Sequence, residues 1–133
     1  GRLLPRRLVL FSPWTDMTAS GRSYETRRDA DPMLTMDYIR AVRSAYAPCQ
    51  ELSSPLLSPL FGDFDRFPPT LIQVGENEIL FSDSLRLRDR LVQSGVPCRM
   101  ELWPDMWHVF QMFPTKKAAE AMESVGRFLL EIV

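Results

Sequence analysis

The sequence predicts an α/β fold: a parallel sheet flanked by helices and incomplete on its own. Short apolar segments alternate with stretches of helical periodicity, the order that gives parallel strands joined by crossover helices. Two of those segments, residues 7–11 (RLVLF) and 70–74 (TLIQV), show no in/out alternation, as expected of strands covered on both faces. Only three strand-like segments occur in 133 residues, and the first has nothing before it to pair against. The chain therefore reads as part of a sheet. It opens on Gly1 and enters a strand almost at once, so a longer polypeptide upstream is expected.

Each element has a local reason. Residues 7–11 close at Ser12 and Pro13 as a buried strand. Residues 15–31, rich in Thr, Ser, Gly, Asp and Arg, hold no steady period and read as a loop. Thr35 is placed to cap a helix through residue 47, with Tyr38, Ile39, Val42, Ala45 and Tyr46 along one side and Pro48 as its stop. The stretch 51–69 carries Ser54-Pro55, Ser58-Pro59 and Pro68-Pro69 and is an irregular connection.

The second strand, 70–74, ends at Gly75. Ser82 or Asp83 then caps a helix over 84–94, with Leu85, Leu87, Leu91 and Val92 inward and Arg86, Arg88 and Arg90 outward. Gly95 closes it as a left-handed cap. Residues 98–102 alternate as a third strand. After a loop over 103–115, a last helix spans 116–132, with Ala118, Ala119, Met122, Val125, Phe128 and Leu129 as its apolar stripe.

Composition narrows the function classes. Hydrophobic residues make up 45% and charged residues 25%, which is ordinary for a globular domain and unlike a disordered chain. Sixteen basic and seventeen acidic side chains give a net charge of −1. No basic surplus exists for nucleic-acid binding, so no nucleic-acid partner is expected. The longest apolar run, Leu8 to Phe11, is far short of the roughly 20 residues of a membrane span. Residues 1–7 have the charges of a signal peptide but no apolar stretch behind them. Cys49 and Cys98 stand apart with no metal-type spacing, which points to structural thiols and a cytoplasmic location.

Candidate chemistry gathers where strands end. In an open α/β sheet, ligands bind at the loops leaving the carboxyl ends of the strands. The single histidine, His108, lies in such a loop after the third strand, and imidazole suits acid–base work near neutral pH. Glu78 follows the second strand, and adjacent parallel strands bring both loops to one edge, within hydrogen-bond reach across thirty residues of sequence. A carboxylate there would fix the imidazole tautomer. Glu76 and Asp83 compete for that role. No Gly-x-Ser-x-Gly elbow, His-Gly-Gly run, P-loop or Gly-x-Gly-x-x-Gly occurs. One histidine builds no usual zinc site, so no metal is expected. Ser12, Ser54 and Ser58 sit beside prolines, unlike a strand-to-helix elbow, and no nucleophile is visible.

These residues resemble the hormone-sensitive-lipase-like esterases of the α/β-hydrolase fold. The likeness runs in order through Leu8-Val9-Leu10-Phe11-Ser12-Pro13-Trp14-Thr15-Asp16, Ser54-Pro55-Leu56-Leu57-Ser58-Pro59-Leu60 and Phe67-Pro68-Pro69-Thr70-Leu71-Ile72-Gln73-Val74-Gly75. It continues through Glu78-Ile79-Leu80 to Met106-Trp107-His108-Val109-Phe110. The resemblance implies that residues 1–133 are the C-terminal portion of one α/β-hydrolase domain, with the nucleophile-bearing N-terminal half and the cap lying elsewhere. It puts Glu78 at the catalytic acid, where most relatives carry Asp, and His108 at the catalytic histidine, with Asp83 as the fallback acid.

It further implies that Ile79 and Val109 face the substrate pocket, that Phe110 packs behind the histidine at the substrate-binding edge, and that Asp16 is a structural hydrogen-bonder of its loop. The implied activity is serine carboxylesterase or lipase chemistry on a small-molecule acyl ester, without cofactor, with the N-terminal half as the partner supplying Ser. The chain alone is then expected to be inactive. Two alternatives stand beside this: an inactive fragment serving as a binding or structural piece, and a peptidase or amidase on the same fold.

Overall fold

The computed structural model describes residues 4–131. Three parallel strands, β1 (Leu8–Phe11), β2 (Thr70–Gly75) and β3 (Cys98–Trp103), lie in the order β1-β2-β3. Leu8 pairs with Thr70 and Phe11 with Gln73, while Thr70 pairs with Cys98 and Gly75 with Trp103. Four α-helices complete the described elements: α1 (Ser23–Thr26), α2 (Met36–Tyr46), α3 (Phe81–Gln93) and α4 (Lys116–Leu130), with 3-10 turns at Pro59–Phe61 and Phe110–Met112.

The central strand explains the layering. Every residue of β2 is buried, because both its faces are covered. Ile72 joins Leu87, Leu91 and Val96 of the α3 side, with Leu10, Cys98 and Met100 packed against them. Leu71 points the other way, to Val125 and Phe128 of α4, with Val9 and Phe11 alongside. Successive strand residues thus feed two opposite cores, the period-2 geometry of a strand. Burying side chains such as Leu71 and Ile72 contributes roughly 1.5–3 kcal/mol each.

Three helix ends follow local chemistry. Thr35 accepts from Tyr38 N at 3.1 Å and Thr115 from Ala118 N at 3.1 Å, each capping its helix. Gly95, at φ +75, lets Val96 N reach back to Leu91 O at 2.9 Å and close α3. The start of α3 differs from expectation. It begins at Phe81, and neither Ser82 nor Asp83 caps it through its own side chain. The cap comes from a distant element: Ser82 N donates to Ser23 Oγ and Ser23 N to Ser82 Oγ, both at 2.8 Å.

Other expectations shift as well. The loop 15–31 contains α1. Val92, expected inward, is 56% exposed. On α2 only Ile39 is buried, and Tyr38 and Tyr46 face outward. The buried face of α4 is Ala118, Ala121, Ser124, Val125 and Phe128, so the stripe is rotated and Met122 and Leu129 stay exposed. The expected helix end at residue 132 lies outside the described residues. Both cysteines are free, and burial pushes the Cys98 thiol up to about 11 against the opposing pull of Arg88. Among the described residues no helix is long and apolar enough to cross a membrane.

Candidate active site

Because the three strands are parallel, their carboxyl ends share one edge. There the turn after β2 meets the loop after β3. Glu76 N donates to Trp103 O and Asn77 N to Met106 O, both at 2.9 Å, and Asp105 N donates to Glu76 Oε2 at 3.3 Å. Gly75 makes this crossing possible: a Cβ there would lie 2.4 Å from Met106 O and 2.9 Å from Trp107 N, and backbone atoms cannot swing aside. Glycine at the strand end therefore lets the histidine loop lie directly over the acid turn.

The result is a contact between Glu78 and His108. His108 Nδ1 lies 3.2 Å from Glu78 Oε2. The other carboxyl oxygen, Oε1, accepts from Ser12 Oγ at 2.7 Å and from Gly75 N at 2.5 Å. Glu78 is wholly buried, whereas the imidazole keeps 21% of its surface. A buried carboxyl group is costly unless its oxygens find partners, and here both do. With Nδ1 engaged by the carboxylate as N–H donor, the other nitrogen, Nε2, is left with its lone pair free to take a proton.

The acid turn is braced from below by the segment expected to be plain loop. Arg27 Nη1 donates to Glu76 O at 2.6 Å, Ile79 N donates to Asp31 Oδ2 at 2.9 Å, and Ser23 Oγ donates to Ile79 O. Asp31 Oδ1 in turn accepts from Met33 N and Leu34 N, both at 2.9 Å, so the brace is itself fixed. Asp16 holds the same segment together as expected, accepting from Thr18, Ser20 and Arg86. Burial raises its pKa, but the bonds from Ser20, Thr18 and Arg86 outweigh that and hold the carboxyl below its ordinary range.

The other candidates separate clearly. Asp83 takes Thr15 N and Asp16 N on Oδ2, both at 2.9 Å, and holds that loop; the carboxyl against His108 is Glu78. Glu76 anchors Asp105. Ile79, expected at the pocket, is 0% exposed and packs with Tyr24, Leu34, Ile39 and Leu80, the brace turning its side chain into that cluster. Phe110 is likewise 0% exposed, packing with Met106, Ala118 and Ala121 and lying 5.5 Å, ring to ring, from Trp103. Its ring seats the histidine loop on α4, packed behind the histidine as the resemblance implies. Val109 alone of the three keeps some exposure, and it is held at φ +47.

The place of Ser12 beside Glu78 is not legible in the sequence. Its bonds span 66 and 97 residues of chain, and no local spacing signals them. Ser23, Arg27 and Asp31 were hidden for the same reason. Ser58 is also engaged, accepting from Met17 N at 2.8 Å and donating to Leu52 O.

Comparison with known proteins adds to this geometry. Residues 1–112 match the family model of the alpha/beta hydrolase fold. Among curated proteins the chain is similar to an acetyl-hydrolase of Streptomyces hygroscopicus, 34% identical over 97% of this chain and 44% of that protein. An esterase of Acinetobacter venetianus is 36% identical over 95% of this chain and 43% of that protein. Among solved structures, an esterase from the bacterial hormone-sensitive lipase family superposes with a TM-score of 0.94 at 36% identity, covering 97% of this chain and 44% of that one. A hormone-sensitive lipase from a metagenome library gives 0.91 at 33% identity, covering 94% and 44%. The chain thus spans less than half the length of the relatives it matches.

Proposed function

The chain belongs to the α/β-hydrolase fold family, matching the C-terminal half of hormone-sensitive-lipase-type esterases, and from that premise we propose that it supplies the acid and the histidine of a serine carboxylesterase. The single observation that carries this reading is the 3.2 Å contact of His108 Nδ1 with the buried Glu78 carboxyl at the carboxyl edge of the sheet. Esterase and acetyl-hydrolase activities named for the relatives support an acyl ester as the substrate class.

In this reaction a serine from a segment outside these 133 residues attacks the ester carbonyl. His108 Nε2 takes the serine proton as the bond from the serine Oγ to the carbonyl carbon forms and the C=O electron pair moves onto the carbonyl oxygen, and the imidazolium is held by Glu78 Oε2 on its Nδ1 side. His108 then returns that proton to the departing alkoxide. Water, deprotonated by the same nitrogen, attacks the acyl-enzyme and releases the carboxylic acid, restoring the serine. Glu is one methylene longer than Asp, and the donors from Ser12 and Gly75 hold that longer arm in place. The partner is the nucleophile-bearing N-terminal half. The two free thiols fit the reducing cytoplasm as the site of this reaction.

The test is turnover of a short-acyl p-nitrophenyl ester by the polypeptide that unites these residues with the nucleophile-bearing segment. His108→Ala is expected to lower kcat by about 10³-fold or more, and Glu78→Gln by on the order of 10²-fold or more. Undiminished hydrolysis by the His108→Ala protein would overturn the assignment.

A further inference from the structure

We propose that Ser12 is a positioning residue of this site: its one hydroxyl ties the carboxyl of Glu78 to the backbone of the histidine loop, so that acid and base are held as a single unit. The inference rests on the reading of Glu78 and His108 given above. Ser12 is 2% exposed at the end of β1. Its Oγ–H donates to Glu78 Oε1 at 2.7 Å, and the same oxygen accepts Val109 N at 3.1 Å. Val109 directly follows His108 in the chain. One small side chain therefore touches the acid on one side and the residue beside the base on the other.

The backbone on both sides of this bridge is strained. Ser12 sits at φ +45 and Val109 at φ +47, a region that non-glycine residues avoid and β-branched valine most of all. Such conformations persist only where the surroundings over-determine them. Here Ser12 N is pinned to Gln73 O at 2.9 Å, and Val109 N is pinned by the Ser12 hydroxyl. A tight turn at the end of β1 needs no hydroxyl. The hydroxyl matters because alanine in its place would leave Val109 N–H without its acceptor and Glu78 Oε1 with one donor in place of two. The carboxyl would then gain freedom to turn away from His108 Nδ1. Ser12 acts through Glu78 and touches no substrate, so its removal slows the chemical step and leaves substrate binding alone.

The experiment measures kcat and KM for Ser12→Ala and Ser12→Gly in the united polypeptide, each alone and in the Glu78→Gln background, with His108→Ala alongside. Ser12→Gly accepts the left-handed backbone and keeps the turn while removing the hydroxyl. Both variants are expected to lose about 10- to 100-fold in kcat with KM within about twofold. In the Glu78→Gln background the further loss is expected to be smaller, because the tie to the carboxylate is then already gone and the tie to Val109 N is what remains to lose. Wild-type kcat in Ser12→Gly, or the same loss with and without the Glu78 carboxylate, would overturn the proposal while His108→Ala still abolishes turnover. Activity surviving in His108→Ala would instead overturn the catalytic reading, and this proposal with it.

Discussion

Asp83 lies wholly buried in the first turn of α3, with Thr15 N and Asp16 N on one oxygen and no partner for Oδ1 among the described residues. Burial pushes its pKa up to about 7; the two N–H bonds oppose this, and the charge of Asp16 adds to the rise. A carboxyl whose folded-state pKa is raised stabilises the fold fully below its unfolded value near 3.8, and that contribution is lost as pH climbs through about 7. Thermal melting followed across pH is therefore expected to show stability declining between about 4 and about 7 on this account. Asp83→Asn keeps an oxygen for Thr15 N and Asp16 N and should flatten that segment of the profile; an unchanged slope would contradict it. At this scale the sequence made His108 legible, being the one histidine after a strand, and made Glu78 legible by strand-end logic and resemblance. The directions in which Ile79 and Phe110 turn are not legible there, because a residue's neighbour in sequence does not fix which way its side chain points. Here Asp31 and Ser23 turn Ile79 inward, and the 3-10 turn after Val109 lays Phe110 on α4.

The elements were readable wherever their signals are local. Thr35, Thr115 and Gly95 mark helix ends through their own side chains or backbone, and the three apolar runs give the three strands. The start of α3 was not readable, because its cap is Ser23, some sixty residues upstream. The rotated face of α4 has a similar cause: Ala121 O and Ser124 Oγ are drawn toward Gln73 and Glu101 on the sheet, and these polar partners set the buried face as much as the apolar residues do. The link between α1 and α3 is testable. Ser23→Ala removes the acceptor of Ser82 N and the donor to Ile79 O, leaving one part-buried and one buried backbone group unpaired. Denaturant unfolding is expected to show a loss of about 1–3 kcal/mol. A variant as stable as the parent would mean that the α3 start is held by something else.

As a whole, the molecule is a three-stranded slice of a parallel sheet, covered by α3 on one face and α4 on the other. β1 pairs only with β2, so its other edge is unpaired among the described residues, and large apolar side chains such as Leu56, Met112 and Leu130 stand at 94%, 81% and 83% exposure. Parallel sheets with so few strands leave apolar surface in water, which agrees with a chain that spans under half of its relatives. The site is divided in the same way: Glu78 and His108 are brought together, and the serines whose bonds bear on them are already engaged, Ser12 with Glu78 and Val109, Ser23 with Ile79 and Ser82. The most direct measurement is fluorophosphonate labelling of the united polypeptide, followed by peptide mapping of the adduct. The label is expected on a serine outside residues 1–133 and is expected to be lost in His108→Ala; an adduct on a serine within these residues, or labelling indifferent to His108, would contradict the account.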